Sequence, residues 1–143
     1  MFLGMLIDKE QKKQLERVAE RYHLTLILLF GSAVSGGRHA GSDLDIAISS
    51  ELPLGWREYG SFIEDMKSMF GVESETIDVS FLDRADPLFL KRISEQFQAL
   101  VGDDAEIMKF RLKAFHRYED YRPYLAQERE AVRAYLQHQA YVH

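Results

Sequence analysis

The strongest constraint on the fold is a near-continuous apolar run of seven residues, Leu24–Phe30, that stops at Gly31. A run of this length and composition is typical of a central strand that is buried on both faces. Four of the nine glycines then fall between positions 31 and 41, which predicts a tightly turned or flexible connection after the strand. Because functional residues often lie on such connections, the end of this strand is a candidate location for a site.

Two later segments, residues 43–49 and 76–82, alternate apolar and polar side chains as half-buried strands do. In each segment the aliphatic residues share one face, and the opposite face carries a carboxylate, Asp45 or Asp78. The aliphatic residues are Leu44, Ile46 and Ile48 in the first segment and Ile77, Val79 and Phe81 in the second.

Amphipathic helices are predicted before and between these strands. Residues 8–22 have helical apolar spacing, with Asp8 as the N-cap. Residues 56–70 also have helical spacing, although Gly60 weakens the pattern, and this helix is expected to cover the sheet. The residues predicted to cover it are Trp56, Tyr59, Phe62, Ile63, Met66 and Phe70.

The second half of the chain is predicted to be mainly helical. Asp86 and Pro87 open a helix, a short strand follows at 98–101, and residues 103–141 are helical with a kink or break at Pro123. The order of elements predicts an α/β or α+β fold with a small mixed sheet, flanking helices and a long C-terminal helical segment. We expect one domain over residues 1–143, with a core of about 8–102 and a tail of about 103–143.

Composition and charge limit the kinds of site and partner that the chain can have. The chain has no cysteine, which excludes disulfides, thiolate zinc sites and cysteine nucleophiles and leaves oxygen and imidazole chemistry. A net charge of -5 argues against broad binding to nucleic-acid backbones. The apolar N-terminal stretch is short and breaks at Asp8, which is unlike a signal peptide or a membrane span and predicts a cytoplasmic protein.

The candidate site combines Gly31 and Ser32 with three carboxylates, Asp43, Asp45 and Asp78. Residues two apart on a strand stand roughly 7 Å apart, so Asp43 and Asp45 can share two metal ions that lie about 4 Å from one another. Magnesium is commonly held by carboxylates, substrate phosphates and water, so an acidic site can bind a polyanion. Ser32 is placed to meet phosphate oxygens.

Each part of this pattern alone is weak, because Gly-Ser pairs and Asp-X-Asp triplets are common in solvated or Asx-capped loops. Their conjunction with a third aspartate on the polar face of another strand favours a site. From the residues alone, the prediction is metal-dependent transfer of a phosphoryl-type group.

The same stretches resemble the polymerase-beta-like nucleotidyltransferases, which carry a Gly-Ser, Asp-X-Asp and third-Asp pattern. The small size is similar to that of the minimal nucleotidyltransferases. The ten-residue spacing and the long helical tail are similar to those of the MntA antitoxins, which are encoded with HEPN-domain toxins of the HepT type. The matching stretches are Phe30-Gly31-Ser32, Asp43-Leu44-Asp45-Ile46-Ala47 and Ile77-Asp78-Val79.

This resemblance implies roles for the residues. Asp43 and Asp45 would bind both Mg²⁺ ions, Asp78 would bind the catalytic ion and help to activate the attacking hydroxyl, and Gly31 and Ser32 would hold the triphosphate of ATP. The implied acceptor is a tyrosine hydroxyl on the HEPN toxin. Addition of AMP there would inactivate the toxin, so the enzyme would act as an antitoxin in a hetero-oligomer with it.

Two other functions are open at this point. The acceptor could be a small-molecule hydroxyl or a nucleic-acid end, although the acidic charge argues against nucleic acid. A non-catalytic antitoxin could instead silence its partner by occlusion, but such a protein has no need for three mutually repelling carboxylates on one face.

Several other residues are ambiguous. Arg38, His39, Lys91 and Arg92 could touch the triphosphate or could be solvated, and His116, His138 and His143 receive no role. Arg111, His116 and Tyr118 match a pattern found in HEPN ribonucleases, but they fall on one predicted helix, and the sheet predicted before it leaves no room for a full HEPN bundle. An apolar stripe could pack on the chain's own sheet or dock the toxin; it comprises Tyr118, Tyr121, Leu125, Val132 and Leu136.

Overall fold

The computed structural model describes residues 6–35, 43–72 and 76–142, and at residues 141 and 142 it describes the backbone alone. The elements described are α1 (Lys9–Arg21), β1 (Leu24–Phe30), α2 (Ser32–Ser35), β2 (Leu44–Ser50), α3 (Trp56–Phe70), β3 (Ile77–Phe81), a 3₁₀ turn (Leu82–Arg84), α4 (Pro87–Glu95), β4 (Gln98–Val101) and α5 (Asp104–Val142).

The strands form one mixed sheet in the order β3-β2-β1-β4. Strand β1 runs antiparallel to both of its neighbours, β2 and β4. Strands β2 and β3 are parallel, as a connection through α3 allows. The predicted fold class is confirmed, and the apolar run is an internal strand.

Helices cover both faces of the sheet. One core cluster joins α1 and α3 to the aliphatic face of β2 and β3, through fully buried residues such as Leu15, Phe62 and Met66. The second cluster joins α4 and α5 to the other face, where Leu90 and Phe110 are buried. The period-two alternation of the strands therefore separates two cores, as the sequence predicted for the aliphatic side.

Side chains fix the helix starts that were predicted. Asp8 accepts a hydrogen bond from the backbone N–H of Gln11 at 2.7 Å, and the backbone N–H of Asp8 donates one to Oε1 of Gln11 at 3.2 Å. Asp86 accepts a hydrogen bond from the N–H of Phe89 at 2.9 Å, with Pro87 in the first turn.

One residue of α3 differs from the prediction. Trp56 was predicted to cover the sheet, but it is 80% exposed and does not.

Of the kink or break predicted at Pro123, the break is wrong, since α5 is helical continuously over 39 residues. Proline removes one N–H from the helical ladder and crowds the carbonyl of Glu119, which costs about 3 kcal/mol in a helix interior. Pro123 and Glu119 are both exposed, so water can hydrate that carbonyl, and Arg122, Leu125 and Ala126 nearby are good helix formers.

The distal half of α5 leaves the sheet. Every side chain from 126 to 138 is exposed, and Val132 and Leu136 are 56% and 60% exposed. The alternative in which this part of the apolar stripe packs on the chain's own sheet is therefore wrong. Within the described ranges, no helix combines the length and the apolar character needed to span a bilayer.

Candidate active site

Gly31 forms the turn at the end of β1. Its φ angle is +73°, in the left-handed region that favours glycine. Its carbonyl accepts hydrogen bonds from the N–H groups of Val34 and Ser35 at 3.1 and 3.0 Å, which closes the short helix α2 directly after the strand. Ser32 is the first residue of α2 and is half-buried.

Gly31 also makes room for Asp45. A Cβ atom at position 31 would clash with Oδ2 of Asp45, and it would lie 3.1 Å from the Asp45 Cγ atom. The absence of a side chain at position 31 thus allows the carboxylate to sit against the turn. This contact links the Gly-Ser pair to the Asp-X-Asp triplet, which the sequence separates by ten residues.

The strand register places Asp45 next to Asp78, close to the end of β1. Asp45 pairs with Phe30 across the antiparallel ladder and with Asp78 across the parallel one. Paired residues on neighbouring strands lie about 5 Å apart, so the side chains of Asp45 and Asp78 are neighbours on one face. Asp43 is exposed just before β2, Asp45 is half-buried, and Asp78 is exposed.

The carboxylates repel one another. The pKa of Asp45 is raised above its ordinary value, first by burial and then by the negative charges of Asp78 and Asp43. None of the ion pairs in the described parts of the chain involves any of the three. Positive charge placed between them would therefore stabilise the ionised forms.

The donor chemistry fits a hard divalent cation, because it consists of carboxylate oxygens with unneutralised charge. Among the residues that the structure describes, however, no three acidic, histidine or cysteine side chains form a closed set of metal ligands. A magnesium ion here would need oxygens from a substrate or water in addition to the carboxylates.

A cleft of about 180 Å³ lies on the α4 side of the Gly31 turn. Its wall includes Phe30 and Phe89, whose rings meet edge to face with centroids 5.6 Å apart. The sequence predicted the helix that carries Phe89 but not the cleft, since the pairing of α4 with the end of β1 is a long-range contact. The residues that line the cleft are Phe30, Gly31, Ser35, Phe89, Arg92, Ile93 and Gln96.

Other residues singled out in the sequence lie elsewhere. Arg38, His39 and His143 are outside the described residues. Arg111, His116 and Tyr118 all lie on α5, as predicted. Arg111 stacks on Phe97 with its Cζ 5.2 Å from the ring centroid, and His116 and His138 are exposed. The HEPN-like pattern is thus part of the surface of one helix.

Solved structures with a similar fold include toxin–antitoxin complexes. One chain of a toxin–antitoxin complex with AMP-PNP has a TM-score of 0.67 and 23% identity, covering 88% of this chain and 98% of the other. A chain from a complex of tri-AMPylated Shewanella oneidensis HEPN toxin with MNT antitoxin has a TM-score of 0.62 and 21% identity, covering 90% of this chain and 98% of the other. No curated protein sequence matches significantly.

The model of the family "Polymerase beta, Nucleotidyltransferase" matches residues 13–106. The match runs from α1 to the start of α5 and contains the Gly31 turn and all three aspartates. By its sequence and by the mixed sheet that its aspartates share, this chain belongs to the polymerase beta nucleotidyltransferase family.

Proposed function

We propose that the chain is a cytoplasmic, magnesium-dependent protein adenylyltransferase and antitoxin, which transfers AMP from ATP to a tyrosine hydroxyl of a cognate HEPN-type ribonuclease toxin. The observation that carries the proposal is the register pair Asp45 and Asp78, with Asp45 lying against Gly31, in a nucleotidyltransferase fold. The similar structures support the choice of partner, because one of them is a complex of a tri-AMPylated HEPN toxin with MNT antitoxin.

We place the proposed reaction at the acidic edge, which comprises Asp43, Asp45 and Asp78 where strands β2 and β3 begin. The tyrosine oxygen attacks the α-phosphorus of ATP, a new P–O bond forms, and the bond to the β-phosphate oxygen breaks, so pyrophosphate leaves. Magnesium bound by Asp43, Asp45 and Asp78 together with phosphate oxygens would neutralise the charge on the entering and leaving oxygens. Gly31 and Ser32 hold the phosphates near the carboxylates.

The carboxylates have different exposures and, in our proposal, different tasks. Asp45 is half-buried and fixed against Gly31, so it positions the α-phosphate. Asp78 is exposed, so the acceptor hydroxyl can approach it and deliver its proton there. A tyrosine hydroxyl has a reference pKa near 10, so its activation is required at neutral pH.

A labelling experiment tests the proposal. The chain is incubated with its proposed partner, a cognate HEPN toxin, and with ATP labelled at either the α- or the γ-phosphate. Label from the α-position should appear on a toxin tyrosine only when Mg²⁺ is present, and label from the γ-position should not appear. An unlabelled toxin, with both proteins folded, contradicts the proposal.

The double variant Asp43→Asn, Asp45→Asn separates catalysis from occlusion. We expect it to lose labelling and to fail to neutralise the toxin in cells. If neutralisation continues without labelling, the chain is a non-catalytic binding antitoxin. If label appears on a small molecule but not on the toxin, the acceptor assignment is wrong and the enzyme class remains.

A further inference from the structure

Helix α4 carries two adjacent cations, Lys91 and Arg92, in different environments. Lys91 forms an ion pair with Glu95 one turn later, and its Nζ atom lies 4.9 Å from the ring centroid of Tyr118 on α5. The charge of Lys91 is therefore engaged at the interface between α4 and α5.

Arg92 instead lines the cleft beside the Gly31 turn. It is exposed, and in the parts of the chain that the structure describes it takes part in none of the ion pairs. Among the described residues that line this cleft, it is the one cationic side chain. A guanidinium in that position can offer a planar pair of N–H donors to an anion.

Gly31 connects this cleft to the acidic edge. The carboxylate of Asp45 lies against Gly31, and Gly31 is also part of the cleft lining. On this side of the sheet, Asp45 and Asp78 carry negative charge on the strands. Helix α4 adds the positive charge of Arg92, and the Gly31 turn is next to both Asp45 and the cleft. A ligand that needs a metal at one end and carries further negative charge matches this polarity.

We propose that Arg92 binds the β- and γ-phosphates of the nucleoside triphosphate in this cleft and so positions the pyrophosphate leaving group. The inference rests on the proposed function, because it assumes that the α-phosphate lies at the acidic edge. The cleft of about 180 Å³ is smaller than the ~300–1,000 Å³ of pockets that enclose a whole drug-sized ligand, which suits a phosphate tail.

The test compares Arg92→Ala with Lys91→Ala, which removes the same charge from the next residue of the same helix. Binding of α,β-methylene-ATP, which resists transfer, and of AMP is measured by calorimetry with Mg²⁺ present. We expect Arg92→Ala to weaken binding of the triphosphate about 10-fold or more and to leave binding of AMP unchanged, since a lost charge-assisted hydrogen bond has effects of this size.

Two controls sharpen the result. Lys91→Ala should bind the triphosphate as the wild type does, and Arg92→Lys should recover part of the affinity because it keeps the charge but loses the bidentate geometry. Equal triphosphate affinity of Arg92→Ala and wild type overturns the inference alone, as does an equal loss for AMP. A wild-type chain that binds no triphosphate overturns the proposed function as well.

Discussion

Neighbouring residues on β2 show how differently the two faces of the sheet are used. Ile46 is fully buried in the cluster that contains α1 and α3, where hydrophobic packing is continuous. Asp45, one residue earlier, lies on the opposite face beside Asp78 and against Gly31, with a pKa raised by burial and by neighbouring charge. One face therefore stabilises the fold, whereas one edge of the other carries repulsion that a bound ligand could relieve.

The largest effect should come from Asp45→Asn. We expect the rate of AMP transfer to fall by about 10⁴-fold, as when one member of a cooperating catalytic set is removed. The free energy of unfolding should not fall, because the substitution removes repulsion from Asp43 and Asp78. Rates and urea unfolding curves of the same samples measure the two effects.

Asp83→Asn is the matched control for that loss of charge. Asp83 accepts hydrogen bonds from the Ser49 hydroxyl at 3.0 Å and from the Ser50 N–H at 3.3 Å, at the far end of β2. It should lower stability by about 1 kcal/mol and leave the transfer rate unchanged. A loss of stability in Asp45→Asn would show that the acidic edge supports the fold after all.

The converse effect is expected for Phe62→Ala on the opposite face. Phe62 is fully buried on α3 and meets the Tyr22 ring edge to face at 5.9 Å. Its truncation should lower the free energy of unfolding by about 3–5 kcal/mol. At a temperature where the variant is folded, its transfer rate should stay within about threefold of wild type, since surface chemistry on the other face is untouched. A large rate loss in the folded variant would mean that the two faces are coupled.

How much of this could be predicted from sequence differs between the faces. Alternation in β2 and β3 predicted which side of each strand is aliphatic, because that pattern depends on a period of two and not on tertiary contacts. The same alternation placed Asp45 and Asp78 together in face, although only the strand register shows that they are direct partners.

What the sequence did not predict depends on long-range packing. The sequence alone does not show that the adjacent cations Lys91 and Arg92 have different surroundings. The difference follows from the position of α4 between β1 and α5. The contact between Gly31 and Asp45 likewise joins residues on two strands. At Pro123 a local rule predicted a kink or break, but an exposed helix can hydrate the freed carbonyl and continue without a break.

Gly31→Ala tests whether the close approach at the turn matters for catalysis, with Gly71→Ala as its control. Both glycines have left-handed φ angles, +73° and +66°, so alanine is strained at each by about 1–2 kcal/mol. Only at Gly31 would the new Cβ also displace the Asp45 carboxylate, because at Gly71 no described atom beyond the adjacent residues lies within 4 Å of it. We expect Gly31→Ala to reduce the transfer rate about 100-fold, as a misplacement near 1 Å can do, and Gly71→Ala to leave it unchanged. Equal rates in the two variants would assign the turn to the fold alone.

The smallest effect is the pH dependence that Asp45 adds to stability. Its pKa is higher in the folded chain than the ordinary value of 3.8, so the folded state holds this proton more tightly than the unfolded state does. The resulting stabilisation is complete below pH 3.8 and is lost as pH rises through the raised pKa. The unfolding free energy of wild type should therefore fall relative to that of Asp45→Asn as pH increases across this window, measured by urea unfolding at matched ionic strength. Adding Mg²⁺ at neutral pH should recover part of this loss in wild type and none in the variant, because the cation offsets the charge that opposes folding. If the difference between the two proteins is independent of pH, the repulsion at the sheet edge is absent in solution and the contrast between the faces does not hold.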